Sequence, residues 1–277
     1  MGAGHDGSSR RDATPEAGAE SRPSIVYEDE WLLAACKPAG LLVHGDGTGA
    51  RTLTDLVREH LVEAGEREAA GQLQAAQRLD VDTTGIVLFS KSKEFQPGLD
   101  ALVAGHDPSR MRKRYLAVVR GAFPWEECEI SAGIARDRHD ARRMRVVPDG
   151  RPGARALTRV RRLAVTGARA ARLSLVLAEL GTGRRHQIRV HLASRGFPIL
   201  GDQLYGAPAD RAPRHGAPAG RGETRGAHAS GSPSLMLHAW AVDLVHPATG
   251  ERLSLRTPVP VRFAEWFPDA ELLLAGM

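Results

Sequence analysis

The stretch AAQRLDVDTTGIVLFSKS, residues 75–92, decides how this chain is read. Its second half, GIVLFSK at 85–91, is a short apolar run, the pattern of a buried strand. Ahead of the run stand Arg78, Asp80 and Asp82, then Thr83, Thr84 and Gly85. Glycine lets the backbone tighten before the strand. An aspartate on a loop most often caps a turn through its side chain, and Asp82 is placed to bond the Thr83-Thr84 backbone in that way. An aspartate on such a loop, fixed by rigid neighbours, can also face a cleft.

Working outward, short strands are expected at 25–27 and 31–35, with Leu41, Leu42 and Val43 continuing the pattern. Residues 52–64 (TLTDLVREHLVEA) space Leu53, Leu56, Val57, Leu61 and Val62 at a helical period. A helix at 95–104 contains the complicating pair Pro97-Gly98. YLAVV at 115–119 is a strand, and the alternation in RLSLVLAE at 172–179 predicts a half-buried one. HQIRVHLAS at 186–194 reads as a helix ending before Gly196. Residues 241–245 and 252–256, joined by a His-Pro turn, suggest a closing hairpin. Together these give an α+β fold with a mixed, mostly antiparallel central sheet flanked by helices and loops.

The 277 residues, 42% of them hydrophobic, suffice for one or two cores. We expect one catalytic domain over 25–277. Residues 1–24 read as a disordered tail, and the Gly/Ala/Pro/Arg-rich segment at about 206–231 as a flexible insertion. No run approaches the roughly 18 apolar residues of a membrane span. The N-terminus also lacks a signal-type apolar core, so the expected location is the cytoplasm, with no membrane partner. Cys36 and Cys128 alone make neither a disulfide framework nor a Cys-based zinc site. The net charge of +5 is unevenly spread: residues 110–162 hold 15 Lys/Arg against 6 Asp/Glu. Such clustering attracts phosphates, although few Lys and many Arg also mark a generally Arg-rich composition.

A second constellation runs from Glu179 to His191. A strand ends in Gly181-Thr182-Gly183, and a helix follows with Arg184, Arg185, His186, Gln187 and Arg189. Helix starts receive anions well. At helical spacing Arg185 and Arg189 share a face, as do Gln187 and His191. His186 and His191 do not, which argues against a metal pair. Tyr115 directly follows Arg112, Lys113 and Arg114, where it can be half-buried core, stack on a base or aim its hydroxyl at a carboxylate.

These signals converge. YEDEWLLAACKPAGLLVH, QRLDVDTTGIVLFSKS, KRYLAVVRG, LAELGTGRRHQIRVHLASRGFPILGDQLYG and LHAWAVDLVHPATGERLSLRTPVP occur in that order over roughly residues 25–260. In them the chain resembles the RluA-type pseudouridine synthases. The resemblance implies an α+β fold with an RNA cleft, no cofactor and no metal; a stand-alone catalytic domain and a monomer are expected beside it. It implies cleavage of a uridine N-glycosidic bond in structured ribosomal or transfer RNA, rotation of the base, and reattachment through carbon 5.

By position, Asp80 matches the catalytic aspartate, nucleophile or base, and Arg189 the arginine paired with it. Tyr115 matches the tyrosine that packs on the target base. Arg78 matches the residue that fills the space of the flipped nucleotide. Lys37, Arg184, Arg185 and Gln187 fall in motifs expected to contact RNA. Extruding a base costs a few kcal/mol, phosphate contacts position the RNA, and an arginine stabilises an ionised carboxylate in a dry pocket. Two positions depart from the family. Gln77 stands where a His is usual, and Arg185 where a Ser or Thr is usual. Gln77 hydrogen-bonds but does not titrate, and since the chemistry rests on Asp80, activity is expected to survive. A non-catalytic RNA-binding protein and an Asp-dependent nucleosidase or glycoside hydrolase are the competing readings. The last lacks a clear second catalytic carboxylate.

Overall fold

The computed structural model describes residues 22–105, 107–148, 151–167, 172–206 and 234–277. Most of the expected tail and nearly all of the expected insertion lie outside them. The chain forms β1 (Ser24–Glu28), β2 (Leu32–Lys37), α1 (Leu53–Glu63), α2 (Arg67–Gln72), β3 (Gln74–Ala75), β4 (Thr84–Ser90) and α3 (Gln96–Ala104). There follow β5 (Met111–Arg120), β6 (Glu127–Arg136), β7 (Met144–Val147), β8 (Ala154–Thr166), β9 (Leu173–Leu180) and α4 (Gln187–Ser194). The chain closes with β10 (Leu237–Val245), β11 (Arg252–Arg256), α5 (Val261–Ala264) and α6 (Ala270–Leu274). None of the described helices is long and apolar enough to cross a membrane.

One sheet takes all eleven strands in the order β1-β2-β4-β10-β5-β9-β8-β6-β7, with β3 on β4 and β11 on β10. Among the described residues only the β4–β10 pairing is parallel; the other pairings are antiparallel. All seven residues of β4 are buried, because both its faces are covered. Val87 and Phe89 pack with Leu53, Val57 and Leu61 of α1. Ile86 and Leu88 pack with Phe95, Leu99 and Leu102 around α3. Burying a side chain the size of Phe89 contributes about 3 kcal/mol. Helix α1 starts at a capping box in which Thr52 and Asp55 satisfy each other's backbone N–H groups.

The structure revises several sequence expectations. Residues 41–43 form no strand; the Leu42 and Val43 carbonyls instead accept the N–H groups of Leu53 and Thr54 at the start of α1. β9 is buried on both faces for most of its length. Its polar side tolerates this because the Ser174 hydroxyl bonds the Gly121 carbonyl and the Phe123 N–H. The basic segment also holds three strands, β6, β7 and β8, which the sequence reading does not single out. Pro97 fits in the first turn of α3, where its missing N–H costs no bond.

Candidate active site

Asp80 lies on the loop between β3 and β4, and three devices hold that loop. Leu79 packs against two apolar clusters. Thr83 donates its N–H to the Asp80 carbonyl (3.0 Å). The Val81 carbonyl accepts from Gly40 N–H (2.9 Å) and Lys37 Nζ (2.7 Å). Gly85 then passes against β10 at φ +109, where an added Cβ would lie 2.2 Å from the Ala239 carbonyl oxygen. No other residue fits there, so the tight turn of the opening stretch is a close strand crossing. Asp82 makes no side-chain bond to Thr83 or Thr84 among the described residues. Its charge instead acts on the Lys37 ammonium. The Gln77 amide donates to the Ile86 carbonyl (3.1 Å), tying the loop to β4.

Arg189, on α4, meets Asp80 from across the sheet. Its Nη1 donates to Asp80 Oδ2 at 2.7 Å. Its Nε and Nη2 grip both oxygens of Asp202 at 2.7 and 2.8 Å. Asp202 is fully buried and also accepts the N–H groups of Leu204 and Tyr205. Burial opposes its charge, but Arg189 and the two amides outweigh burial and hold the carboxyl below its usual range. Sequence reasoning passed over Asp202. The signal was an acid inside the otherwise apolar and turn-forming run ILGDQLYG.

Tyr115 pairs with Ala239 of β10, whose other register partner is Gly85, and with Ala178 of β9. It is 8% exposed. Burial first, and the Asp80 charge second, push its phenol well above the usual range, so it stays neutral. His186 also approaches Asp80, its Nε2 3.7 Å from Oδ1. Burial lowers its pKa to about 4, with Asp80 opposing and Arg189 and Arg185 adding to the shift.

The remaining expected contacts divide. Arg78, Arg184 and Arg185 are exposed. Arg184 Nε donates to the Arg155 carbonyl and Arg185 Nη2 to the Arg142 carbonyl, and the charge of Arg185 acts on His186. Arg185 precedes the helix, which begins at Gln187, and so shares no helical face with Arg189. Two expectations of RNA contact are corrected. Lys37 is 0% exposed and its Nζ donates to the carbonyls of Pro38, Leu41 and Val81. Burial lowers its pKa to about 7 against the pull of Asp82 and Asp80, and three acceptors need the three hydrogens of the ammonium. Gln187 is 3% exposed. Its amide donates to the Leu157 carbonyl and Thr158 Oγ1, and its oxygen accepts from Thr182 Oγ1 and Arg184 N–H. Both residues build the site from inside. Gln187 does share a face with His191, as expected: each meets the Thr158 hydroxyl.

A carboxylate with one oxygen on a fixed arginine, the other turned toward a neutral imidazole, and a buried neutral phenol nearby can attack an electrophilic carbon or accept a proton. A basic rim offers contacts for a polyanion.

Comparison with known proteins follows this geometry. A family model described as RNA pseudouridylate synthase matches residues 32–194. A Bacillus subtilis protein named uncharacterized RNA pseudouridine synthase YhcT is 34% identical over 85% of this chain and 68% of its own. Proteins named ribosomal large subunit pseudouridine synthase D are 34% identical in Nitrosomonas europaea, over 87% of this chain and 64% of theirs, and 35% in Pseudomonas aeruginosa, over 86% and 69%. The chain thus spans about two thirds of these relatives' lengths. Among solved structures, human RNA pseudouridylate synthase domain containing 4 superimposes with a TM-score of 0.65 at 25% identity, over 87% of this chain and 92% of that one. Domain containing 1 shares the fold, with a TM-score of 0.66 at 23% identity over 95% and 98%.

Proposed function

Because this chain belongs to the RNA pseudouridylate synthase family, an isomerase family, we propose that it converts uridine to pseudouridine in structured RNA, with Asp80 as the reacting carboxylate. The observation that carries this is the Asp80–Arg189 contact of 2.7 Å beside buried Tyr115. In the reaction the bond from ribose C1′ to uracil N1 breaks, the base turns, and a bond from C1′ to C5 forms. The C5 proton leaves and N1 gains one, so the net composition is unchanged. Asp80 acts at the ribose as nucleophile or base. Arg189, anchored by Asp202, stabilises its charge, and the Tyr115 ring packs on the uracil. Arg78, exposed on the same loop, fills the gap left by the extruded nucleotide. Arg184 and Arg185 contact phosphates. Large-subunit ribosomal RNA is the substrate class favoured by the names of two relatives, with transfer RNA the alternative.

Hydrolysis is disfavoured by Asp202. It is the carboxylate closest in bonding to Asp80, through Arg189, yet it is fully buried and committed to that arginine and two amides. It cannot serve as the second acid of a glycosidase. The test is release of tritium from RNA carrying C5-labelled uridine. Wild-type protein is expected to release it, and Asp80→Asn to bind the RNA without release. An Asp80→Asn protein that still releases tritium removes the assignment, and free uracil among the products favours hydrolysis.

A further inference from the structure

We propose that His186 is a positioning residue for Asp80, presenting a neutral Nε2–H to the carboxylate oxygen that Arg189 leaves open. This rests on the role assigned to Asp80 above. The tautomer follows from the hydrogen bonds around Tyr205. The Tyr205 hydroxyl accepts the Met144 N–H at 2.6 Å. Its own proton is therefore free to be donated to His186 Nδ1, 2.9 Å away. With Nδ1 an acceptor, the ring proton of the neutral imidazole resides on Nε2, which faces Asp80 Oδ1 at 3.7 Å. The two oxygens of Asp80 are thus treated differently. Oδ2 is held by a cation at 2.7 Å. Oδ1 faces a neutral donor beyond full bonding distance, so it keeps its lone pairs for the substrate while its direction is biased.

The backbone supplies a second, independent observation. His186 is the one non-glycine residue with positive φ among the described residues (φ 55, ψ 20). This left-handed conformation costs an L-residue about 1 kcal/mol or more and persists where the surroundings fix it. Here it turns the imidazole back over the start of α4, between Tyr205, whose ring it meets edge-on at 5.7 Å, and Asp80. Glycine or asparagine would adopt this backbone at lower cost, so the cost is borne for the side chain. Tyr205 is itself locked by guanidiniums, with Arg189 and Arg143 at 5.3 and 5.4 Å from its ring centre. The chain from Met144 through Tyr205 and His186 therefore biases Oδ1, while the chain from Asp202 through Arg189 fixes Oδ2.

The experiment compares the full-length wild type with His186→Asn, His186→Gln and Asp80→Asn, measuring thermal stability, RNA dissociation constant and single-turnover isomerisation. Asparagine suits the backbone but is too short to reach Asp80. Its Tm should stay close to wild type and RNA affinity unchanged, while the rate falls about 10- to 100-fold, the scale of a misplaced reacting group. Glutamine, which restores an N–H at similar reach, should recover much of the rate. Nitrogen-15 spectra of the wild type should show His186 in the Nε2–H form at neutral pH. An Asn variant within threefold of the wild-type rate, a Gln variant no better than Asn, or an Nδ1–H tautomer overturns the proposal. Asp80→Asn separates the two levels. If it is inactive while His186→Asn is fully active, only the His186 inference falls. If it stays active, the Asp80 assignment itself falls.

Discussion

Replacing Asp202 with asparagine tests how the active-site arginine is held. Arg189 is 7% exposed and gives two of its donors to Asp202, which is itself fully buried and accepts two backbone amides. An asparagine of equal size keeps one oxygen for the amides but turns an NH₂ toward the guanidinium, setting donor against donor. Removing one partner of a buried ion pair costs about 3–5 kcal/mol, because the other charge stays buried. Asp80 still faces Nη1, which offsets part of that cost, so about 3 kcal/mol is expected. With a urea slope of about 2–3 kcal/mol per molar, the unfolding midpoint should fall by about 1 M or slightly more. The rate should fall further than the folded fraction, since Nη1 loses its aim at Asp80; a loss of about 100-fold is expected with RNA affinity kept. A variant whose midpoint and rate both match the wild type would show that Arg189 is held by something other than Asp202.

Gly85→Ala should be poorly folded, because its Cβ would strike the Ala239 carbonyl and its φ of +109 suits only glycine; circular dichroism and soluble yield report it. Lys37→Met should leave RNA affinity unchanged while lowering both stability, by about 2 kcal/mol or more, and rate, because it frees carbonyls that anchor the catalytic loop. An affinity loss alone would restore Lys37 as an RNA contact. Arg184→Ala with Arg185→Ala should weaken binding and reduce the slope of log affinity against log salt by about 2, with little change in the bound-state rate. Acid should destabilise the fold as pH falls from about 6.5 to about 3. Burial lowers His238 to about 3 and His191 to about 4, so the unfolded chain binds more protons in that window and stability falls with pH. Each contributes on the order of 3 kcal/mol, and His238→Gln should flatten the urea midpoint against pH.

The features legible in the sequence were those set by local pattern. The β4 run reads as a strand because both its faces are covered, and α1 reads as a helix because of its apolar spacing, while its Thr52 cap is seen only in the structure. Asp80, Arg189 and Tyr115 were picked out by motif, and the fold brings Asp80 and Arg189 into contact and Tyr115 within reach of the Asp80 charge. What stayed hidden depends on partners far along the chain. Lys37 and Gln187 look like surface polar residues until the carbonyls of Leu41, Val81 and Leu157 close around them. Asp202 acquires its meaning only from Arg189, and His186 from Tyr205 and Asp80. Strand β8 is obscured because its four arginines, Arg155, Arg159, Arg161 and Arg162, read as charge before they read as alternation.

The central claim is that Asp80 carries an isomerisation and not a hydrolysis. It is tested most directly by single-turnover reaction of excess protein with a uridine-containing RNA, followed by digestion and chromatography of the nucleosides. The wild type should convert uridine to pseudouridine with no free uracil, and Asp80→Asn should bind the same RNA and return it unchanged. Pseudouridine formed by Asp80→Asn at the wild-type rate, or uracil released by the wild type, would contradict it.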